Sequence, residues 1–148
     1  MEPPAETPTL KFLYQMKIKV VAPTVVPNGP KGSRYIFPIV SGTFTGADPD
    51  FHGTIEAPSA DYAIRHTDGS GFTLKVFLVL KLHDDGILMA TAEGRSERDA
   101  DNPNNSKITS SATYETGVER FKWMNNQVIV GYGRKEGLSI TIDYYQVV

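Results

Sequence analysis

The stretch Phe72-Thr-Leu-Lys-Val-Phe-Leu-Val-Leu-Lys-Leu82 decides the fold of this chain. Every second residue from Phe72 onward is apolar, and a period of two is the pattern of a β-strand that packs one face against a core. Phe77 and Val79 add apolar groups to the opposite face, which indicates that the strand is partly covered on both sides. The sequence therefore predicts a long central strand here.

Two turn signals flank this strand. Asp68-Gly69 precedes it and Asp85-Gly86 follows it. Tight hairpin turns need positive φ angles, which glycine adopts without steric cost. We therefore predict that residues 60–66 and residues 87–93 pair with the central strand as its antiparallel neighbours.

Similar short runs fill the rest of the chain. Residues 10–21 alternate between apolar and polar side chains, and further strand-like runs cover residues 34–40, 42–46, 51–57, 108–114, 127–132 and 138–147. Pro38 separates two of these runs and is expected at an edge or a bulge, because proline has no N–H to donate to a ladder. The polar residues 95–106 are predicted to form a surface loop or lid.

The order of these elements predicts the fold class. Eight to ten successive strands, with at most one helical turn in residues 118–126, favour an all-β protein over a parallel α/β sheet. The expected architecture is a single antiparallel β-barrel of the up-and-down or meandering type. We predict one barrel domain over residues 10–148, preceded by a flexible, proline-rich arm over residues 1–9.

The composition excludes several classes of protein. Of the 148 residues, 40% are hydrophobic and 22% are charged, as in a globular domain. The formal net charge is -2 at pH 7, and no basic run is long enough to bind nucleic acid or an anionic membrane. The absence of cysteine excludes disulfides and thiolate-bound metals. Because the N-terminus has no apolar secretory segment, a cytoplasmic protein is expected.

Five segments occur in a characteristic order along the chain. They are Gly29-Pro-Lys-Gly-Ser-Arg34, Pro38-Ile-Val-Ser-Gly-Thr-Phe-Thr-Gly46, the segment from Gly53 to Gly69, the segment from Asp84 to Gly94, and Glu115-Thr-Gly-Val-Glu-Arg-Phe-Lys-Trp-Met-Asn125 with Val128-Ile-Val-Gly-Tyr-Gly-Arg134. In this order they resemble the small proteins of the domain of unknown function 3237 family (DUF3237), in its fungal type. The resemblance covers nearly everything after residue 10.

The resemblance implies a closed antiparallel barrel similar to the calycin or lipocalin class. Members of the family are bacterial and fungal, and some fungal relatives sit among natural-product biosynthesis genes, but the family name brings no activity with it. The chain departs from the family at Ser59-Ala-Asp-Tyr62, where members usually have Gly-Ala-Asp-Trp, and also at Phe121, Met124 and Asn126. If Tyr62 reaches a pocket, that pocket is remodelled relative to typical members.

Polar residues that point into a barrel are candidates for chemistry, because burying a polar group without a partner is unfavourable. Asp61 and Arg65 share one face of their predicted strand. Asp61 is interpreted either as a proton-transferring carboxylate with a raised pKa or as a structural carboxylate that accepts backbone N–H groups. Arg65 is interpreted either as a clamp for an oxyanion or a carboxylate, or as an outward-facing charge.

The helical turn supplies a second set of candidates. Arg120 and Trp123 are three residues apart, so they share a face of one helical turn. In the functional interpretation Trp123 forms a pocket wall, and Arg120 and Asn125 donate hydrogen bonds to a substrate oxygen. In the structural interpretation the turn plugs the barrel, with Trp123 filling its end and Arg120 pairing with Glu115.

The histidines and serines give weaker signals. None of His52, His66 and His83 has a second ligand at tight spacing, so neither a metal nor a cofactor is expected, although a three-histidine centre would form if the fold gathered them. His66 is the histidine to test as an acid or base. The serines have no triad context, and no glycine-rich turn precedes a helix that would bind phosphate.

Two classes of function follow from these candidates. The first is a cofactor-independent isomerase, cyclase or dehydratase that transfers protons on a small, apolar, oxygenated metabolite, in the setting of natural-product biosynthesis that the resemblance implies. The second is a non-catalytic barrel that binds a small hydrophobic ligand. We expect catalysis from Asp61, Arg65 and Arg120, and substrate binding from Tyr62, Glu115, Trp123, Asn125, Tyr132 and Arg134. Self-association as a homodimer is compatible with a barrel, but the sequence carries no interface signal.

Overall fold

The computed structural model describes all residues from Met1 to Val148. It contains nine strands and one 3-10 helix, Glu119–Asn126. The strands are β1 Leu10–Val20, β2 Thr24–Gly29, β3 Gly32–Gly46, β4 His52–Arg65, β5 Gly71–Leu82, β6 Ile87–Arg98, β7 Asn105–Thr116, β8 Ile129–Glu136 and β9 Ser139–Val147. The predicted all-β class with one short helical turn is therefore confirmed.

The sheet closes on itself as a barrel. Eight strands pair in the order β1-β9-β8-β7-β6-β5-β4-β3, and β1 also pairs with β3, so every pair in the closed sheet is antiparallel. β2 is an additional strand that pairs with the first half of β3, beyond the end of β1. Closure leaves β2 as the strand with a free edge, and along every other strand side chains alternate between the interior and the outside.

Two strands are longer than predicted because the chain passes through bulges. β3 runs through Pro38, where its register with β4 shifts between Pro38 and Thr43. β4 runs through residues 57–58, where its register with β5 shifts between Glu56 and Ala60. The expectation of a bulge near Pro38 is confirmed, but the division of each strand into two separate strands is wrong. A bulge bends a strand and increases its twist without ending it, which helps a sheet to close.

The prediction of a loop or lid over residues 95–106 is also wrong over half of its length. β6 continues to Arg98 and β7 begins at Asn105, so the connection covers only residues 99–104. Ser96 pairs with Ile108 in the ladder, and its side chain is buried. β2 was not predicted, because its residues are almost all exposed and carry no apolar alternation.

Aromatic rings fill the end of the barrel that carries the 3-10 helix. The ring of Tyr14 stacks on that of Tyr144 at a centroid distance of 4.5 Å and meets the edge of Phe51 at 5.1 Å. From the helix, Phe121 and Met124 are buried beneath this cluster, and the ring of Phe121 lies 4.9 Å from that of Phe51. The helix thus closes this end of the barrel. No helix of the structure is long and apolar enough to cross a membrane.

Candidate active site

The opposite end of the barrel contains an interior cavity of about 70 Å³. By the same measure one water molecule needs ~10–15 Å³, so the cavity has room for several waters or a small organic group. Thirteen of its nineteen lining residues are hydrophobic, among them Met16, Phe37 and Ile142. Such a cavity favours a small, mostly apolar molecule, and the few polar groups that reach it decide the chemistry.

Asp61 on β4 lines this cavity. Its Oδ1 atom accepts a hydrogen bond from the backbone N–H of Lys75 at 3.1 Å. Burial raises the pKa of Asp61 from 3.8 to about 7, while the Lys75 N–H and the positive charge of Lys135 act in the opposite direction. The carboxyl group therefore gains and loses its proton near neutral pH, which is the range that general acid–base catalysis uses.

Lys135 on β8 lines the same cavity. Its Nζ lies 4.6 Å from the centre of the Phe37 ring, as in a cation–π contact. Burial lowers the pKa of Lys135, and the carboxylate of Asp61 opposes this effect. Neither Asp61 nor Lys135 belongs to any ion pair of the chain. An acid and an amine thus share one apolar cavity without direct contact, which leaves both free to contact a ligand.

Serine hydroxyl groups line one side of the cavity. The Oγ of Ser110 is buried and has no hydrogen-bond partner in the protein. Ser96 differs, because its Oγ accepts the backbone N–H of Phe72 at 3.1 Å. Glycine at position 131 makes room for the Ser110 hydroxyl, since a Cβ there would lie only 2.6 Å from the Oγ atom. An unpartnered buried hydroxyl in a cavity wall is available to a ligand or a water molecule.

The floor of the cavity is aromatic. Tyr144 lines it and stacks on Tyr14, whose hydroxyl is 2.5 Å from the hydroxyl of Tyr114. Burial raises the pKa of all three tyrosines above the ordinary value of a tyrosine, so they remain neutral. The floor is therefore uncharged. Glu93 is also part of the cavity wall, but its carboxylate is exposed and pairs with Lys75, so the ionisable groups without an ion pair are Asp61 and Lys135.

The cavity adjoins a surface depression of about 440 Å³ at the same end of the barrel. Phe72, Ser106 and Lys135 line both spaces, so the depression forms the mouth of the cavity. Arg65 and Arg98 stand at this mouth. Of the residues predicted to be catalytic, the structure thus brings Asp61 to the cavity and Arg65 to its mouth.

Other predicted residues lie on the outside of the barrel. Tyr62 is 40% exposed and packs its ring edge-on against Phe77 on the outer face. Tyr132 is 52% exposed on β8, and Arg134 pairs with Asp99 on the same exterior side. Alternation along the strands explains this placement, because the residues on either side of an inward-facing one point outward. None of Tyr62, Tyr132 and Arg134 lines the cavity.

The helical block lies at the plugged end, away from the cavity. Arg120 pairs with Asp50 and with Asp84, its NH2 group lying 2.8 Å from Asp84, and the predicted pairing with Glu115 is wrong. The plug is filled by Phe121 and Met124, whereas Trp123 is 39% exposed, so the expectation that Trp123 fills the barrel end is also wrong.

The remaining residues of this block tie the helix to β7 or face solvent. Asn125 accepts the N–H of Thr116 and donates to its carbonyl oxygen, both at 2.9 Å, so both ends of its amide are bonded to β7. Glu115 is exposed in a shallow surface depression beside the helix. The arrangement assigns Asn125 a structural contact and leaves Glu115 outside the cavity.

The three histidines are not gathered by the fold. The rings of His52 and His83 stack at 4.4 Å at the plugged end, where His83 bonds Asp50 at 2.7 Å. His66 lies at the other end, with ring nitrogens 3.3 Å from Ser70 Oγ and 2.9 Å from Thr73 Oγ1. Because the histidines lie at opposite ends of the barrel, they cannot form a metal centre that uses all three.

Several residues of the cavity and its mouth were not predicted from the sequence. Three that matter for the chemistry are Lys135, Ser110 and Arg98. For Lys135 the signal was present, since it follows Ile129, Gly131 and Gly133 at a period of two on the buried face of β8. Arg98 was not considered because residues 95–106 were expected to form a loop, and Ser110 belongs to no recognisable sequence motif.

Comparisons with known proteins agree with this fold. The family model described as protein of unknown function (DUF3237) matches residues 8–147, which is nearly the whole chain and confirms the resemblance. Among functionally curated proteins no match was found.

Solved structures share the barrel at low sequence identity. A β-barrel-like protein from Acinetobacter baumannii AYE is 22% identical, with 99% of each chain covered and a TM-score of 0.86. A conserved protein of unknown function from Rhodopseudomonas palustris is 18% identical, with 97% of this chain and 100% of that chain covered and a TM-score of 0.86. An enzyme from Penicillium herquei is 16% identical, with 100% of both chains covered and a TM-score of 0.72. At these identities the likeness shows the fold alone.

Proposed function

The chain belongs to the DUF3237 family, and we propose that it is an enzyme that moves protons on a small, apolar, oxygenated metabolite held in the barrel. The observation that carries the proposal is the carboxyl group of Asp61, which has a pKa of about 7 inside an apolar cavity that also holds Lys135. Perturbed acids in apolar cavities are typical of catalytic sites. The reaction class is that of an isomerase, cyclase or dehydratase, with the protein's own side chains as the proton donors and acceptors.

The proposed mechanism assigns one role to each group. The neutral carboxylic acid of Asp61 donates a proton to a substrate carbon or oxygen, and the resulting carboxylate accepts a proton from a neighbouring substrate atom. In an isomerisation or cyclisation the number of protons is unchanged. In a dehydration a C–O bond breaks, and the hydroxide leaves with the donated proton as water. The ammonium group of Lys135 stabilises negative charge on a substrate oxygen.

A catalytic role is also supported by a structural neighbour. The Penicillium herquei protein with the same fold is an enzyme. It is an example of an enzyme that shares this fold, while the activity of the present chain is argued from its own cavity.

Hydrogen–deuterium exchange at carbon tests the proposal. Small cyclic ketones and β-diketones are incubated with the protein in D₂O, and loss of C–H signal is followed by proton NMR. The wild-type protein is expected to accelerate exchange, and Asp61→Asn to lose ~10²–10⁴-fold of that acceleration. The control Asp85→Asn changes an exposed turn residue and is expected to retain the rate. Wild-type exchange rates in Asp61→Asn would refute the proposed role.

A non-catalytic binding protein of the lipocalin type is the second candidate. The apolar lining of the cavity favours it, but a purely hydrophobic ligand would leave Asp61 with only the Lys75 N–H and Lys135 with only the Phe37 ring, which is unfavourable. Native mass spectrometry of the purified protein separates the two. An unreacted ligand that is retained unchanged, together with no exchange activity, supports binding alone.

A further inference from the structure

We propose that the mouth of the cavity selects a metabolite that carries a carboxylate, held by Arg65 and Arg98 at the rim and by Lys135 at the entrance. The inference rests on the proposed function, since it names the substrate class of the same cavity. Three of the residues that line the mouth are cationic and none is acidic, although the whole chain has a net charge of -2. The charged side chains that line the entrance are therefore all cationic.

The two rim arginines are free to bind a ligand. Arg65 ends β4, and its Nη2 atom lies 3.9 Å from the position that a Cβ at Gly69 would occupy, over the hairpin turn. Arg98 ends β6, and its backbone N–H donates to the carbonyl of Ser70 at 2.8 Å, which anchors it beside the same turn. Neither guanidinium belongs to an ion pair of the chain.

Two acidic residues near the rim already have partners in the protein. The carboxylate of Asp99 pairs with Arg134. The carboxylate of Asp68 accepts the backbone N–H of Ser70 at 2.9 Å within its own turn. None of the residues that line the mouth is acidic, and its three cations form no ion pair, so an anionic ligand would supply the missing carboxylate.

Lys135 connects the mouth to the cavity, because it lines both. A carboxylate at this junction would place its apolar remainder among Phe37, Phe72 and Leu74 of the cavity wall. Since like charges repel, an anion bound near Lys135 favours the neutral form of Asp61, which is the form that donates a proton. Binding of the anion therefore increases the fraction of Asp61 that is protonated and able to donate.

A carboxylate fits these donors better than a neutral oxygen does. A guanidinium group presents planar, paired N–H donors that match the two oxygens of a carboxylate, and such charge-assisted bonds are roughly twice as strong as neutral ones. A single carboxylate also suits a cavity of about 70 Å³, whose apolar walls accept only a small remainder.

Ligand titration by NMR tests this inference with three probes that share one apolar ring. Phenylacetate, its neutral amide phenylacetamide, and phenyl phosphate are added at pH 6 and low salt to ¹⁵N-labelled protein. Phenylacetate is expected to bind at least about tenfold more tightly than the amide, with shifts at residues of the cavity and mouth. The double variant Arg65→Gln, Arg98→Gln is expected to reduce this preference about fivefold or more. Arg95→Gln is the matched control, because Arg95 precedes Arg98 by three residues on β6, is exposed, does not line the mouth, and donates a hydrogen bond to the carbonyl of Gly94.

Four outcomes would overturn the inference. They are equal binding of acid and amide, an unchanged preference in the double variant, tighter binding of phenyl phosphate than of phenylacetate, and no shift of cavity signals at about 10 mM phenylacetate. The proposed function is tested separately, because carbon exchange on neutral ketones requires Asp61 but not the rim arginines. If Asp61→Asn loses exchange activity but acid and amide bind equally well, the proposed function stands and only the inferred selectivity for anions is refuted.

Discussion

Asp61 and Lys135 line the same apolar cavity, yet they form no ion pair with each other. Burial moves their pKa values toward each other, upward for Asp61 and downward for Lys135. A directly bonded pair would instead favour both charged forms. Because the two groups are not bonded to each other, Asp61 titrates near neutral pH while a cationic group lines the same cavity. The proposed proton transfer depends on this arrangement.

The raised pKa of Asp61 makes stability depend on pH. Because the folded protein holds this proton more tightly than the unfolded chain does, the contribution is fully present below pH 3.8 and is lost as the pH rises through about 7. The change from 3.8 to about 7 corresponds to up to about 4 kcal/mol of unfolding free energy. Asp61→Asn keeps the acceptor for Lys75 and is expected to remove this loss, so that it is more stable than wild type at pH 8. Urea unfolding between pH 4 and pH 8 measures the effect, and Asp85→Asn is expected to keep the wild-type slope.

The two buried serines near the cavity are expected to respond in opposite ways. Ser96→Ala leaves the N–H of Phe72 without its acceptor and should lower the unfolding free energy by about 1–3 kcal/mol. Ser110→Ala removes a hydroxyl that has no partner in the protein, so it is expected to leave stability unchanged or raise it. Parallel urea denaturation curves compare them. A larger loss in Ser110→Ala than in Ser96→Ala would contradict the described hydrogen bonding.

Adding one methyl group at position 131 should disturb the cavity wall. In Gly131→Ala the new Cβ would lie 2.6 Å from Ser110 Oγ and 2.9 Å from the Tyr144 ring. Overpacking of this kind costs about 1–3 kcal/mol, which thermal or urea unfolding detects. Gly117→Ala is the control, since a Cβ at Gly117 meets no atom within 4 Å. Equal stability of Gly131→Ala and Gly117→Ala would contradict this prediction, because it would mean that Ser110 and Tyr144 move aside without a loss of stability.

The plug at the other end of the barrel depends on Phe121 and not on Trp123. Phe121→Ala removes a buried ring in contact with Phe51 and is expected to cost about 3–5 kcal/mol. Trp123→Ala removes a larger side chain that is 39% exposed, so a smaller loss is expected. Denaturant midpoints of the two variants give the order. The reverse order would restore Trp123 as the residue that fills the barrel end.

Arg120 is expected to lower the pKa of Asp50, one of its two carboxylate partners at the plugged end. The pKa of Asp50 is held below its ordinary value by hydrogen bonds from His83 and from Arg120. Arg120→Gln should therefore raise the pKa of Asp50, which carboxyl ¹³C NMR titration measures, while His83 continues to hold it down. The same variant is expected to bind phenylacetate as wild type does, because Arg120 lies outside the cavity and its mouth. Weakened binding would return Arg120 to the candidate site.

The sequence predicts most of the barrel because alternation is a local property. Apolar side chains at every second position of residues 72–82, and the glycine turns on either side, are sufficient to place β5 and its two neighbours. β2 and the polar half of β6 escaped prediction for the opposite reason. Their strand conformation is stabilised by ladder hydrogen bonds to β3 and β7, which leave no apolar pattern along the chain.

The candidate site was predicted only in part, because a site in a closed barrel combines residues that are distant in sequence. Asp61 was recognisable as an inward-facing carboxylate on a strand. Its meeting with Lys135 requires barrel closure, and the mouth formed with Arg98 requires knowing where β6 ends. The motif-like block around Trp123 was the more conspicuous feature of the sequence, yet it lies at the plugged end.

By itself, the sequence determined the all-β class, the family and the face of β4 on which Asp61 lies, because each depends on side-chain order along a single segment. Only the tertiary structure decided which end of the barrel is open. The reason is physical: the 3-10 helix buries Phe121 and Met124 against the aromatic cluster and fills one end, while small residues such as Gly131 and Ser110 leave space at the other. The raised pKa of Asp61 also depends on the tertiary structure, because residues from several strands bury the carboxyl group and so disfavour its charged form.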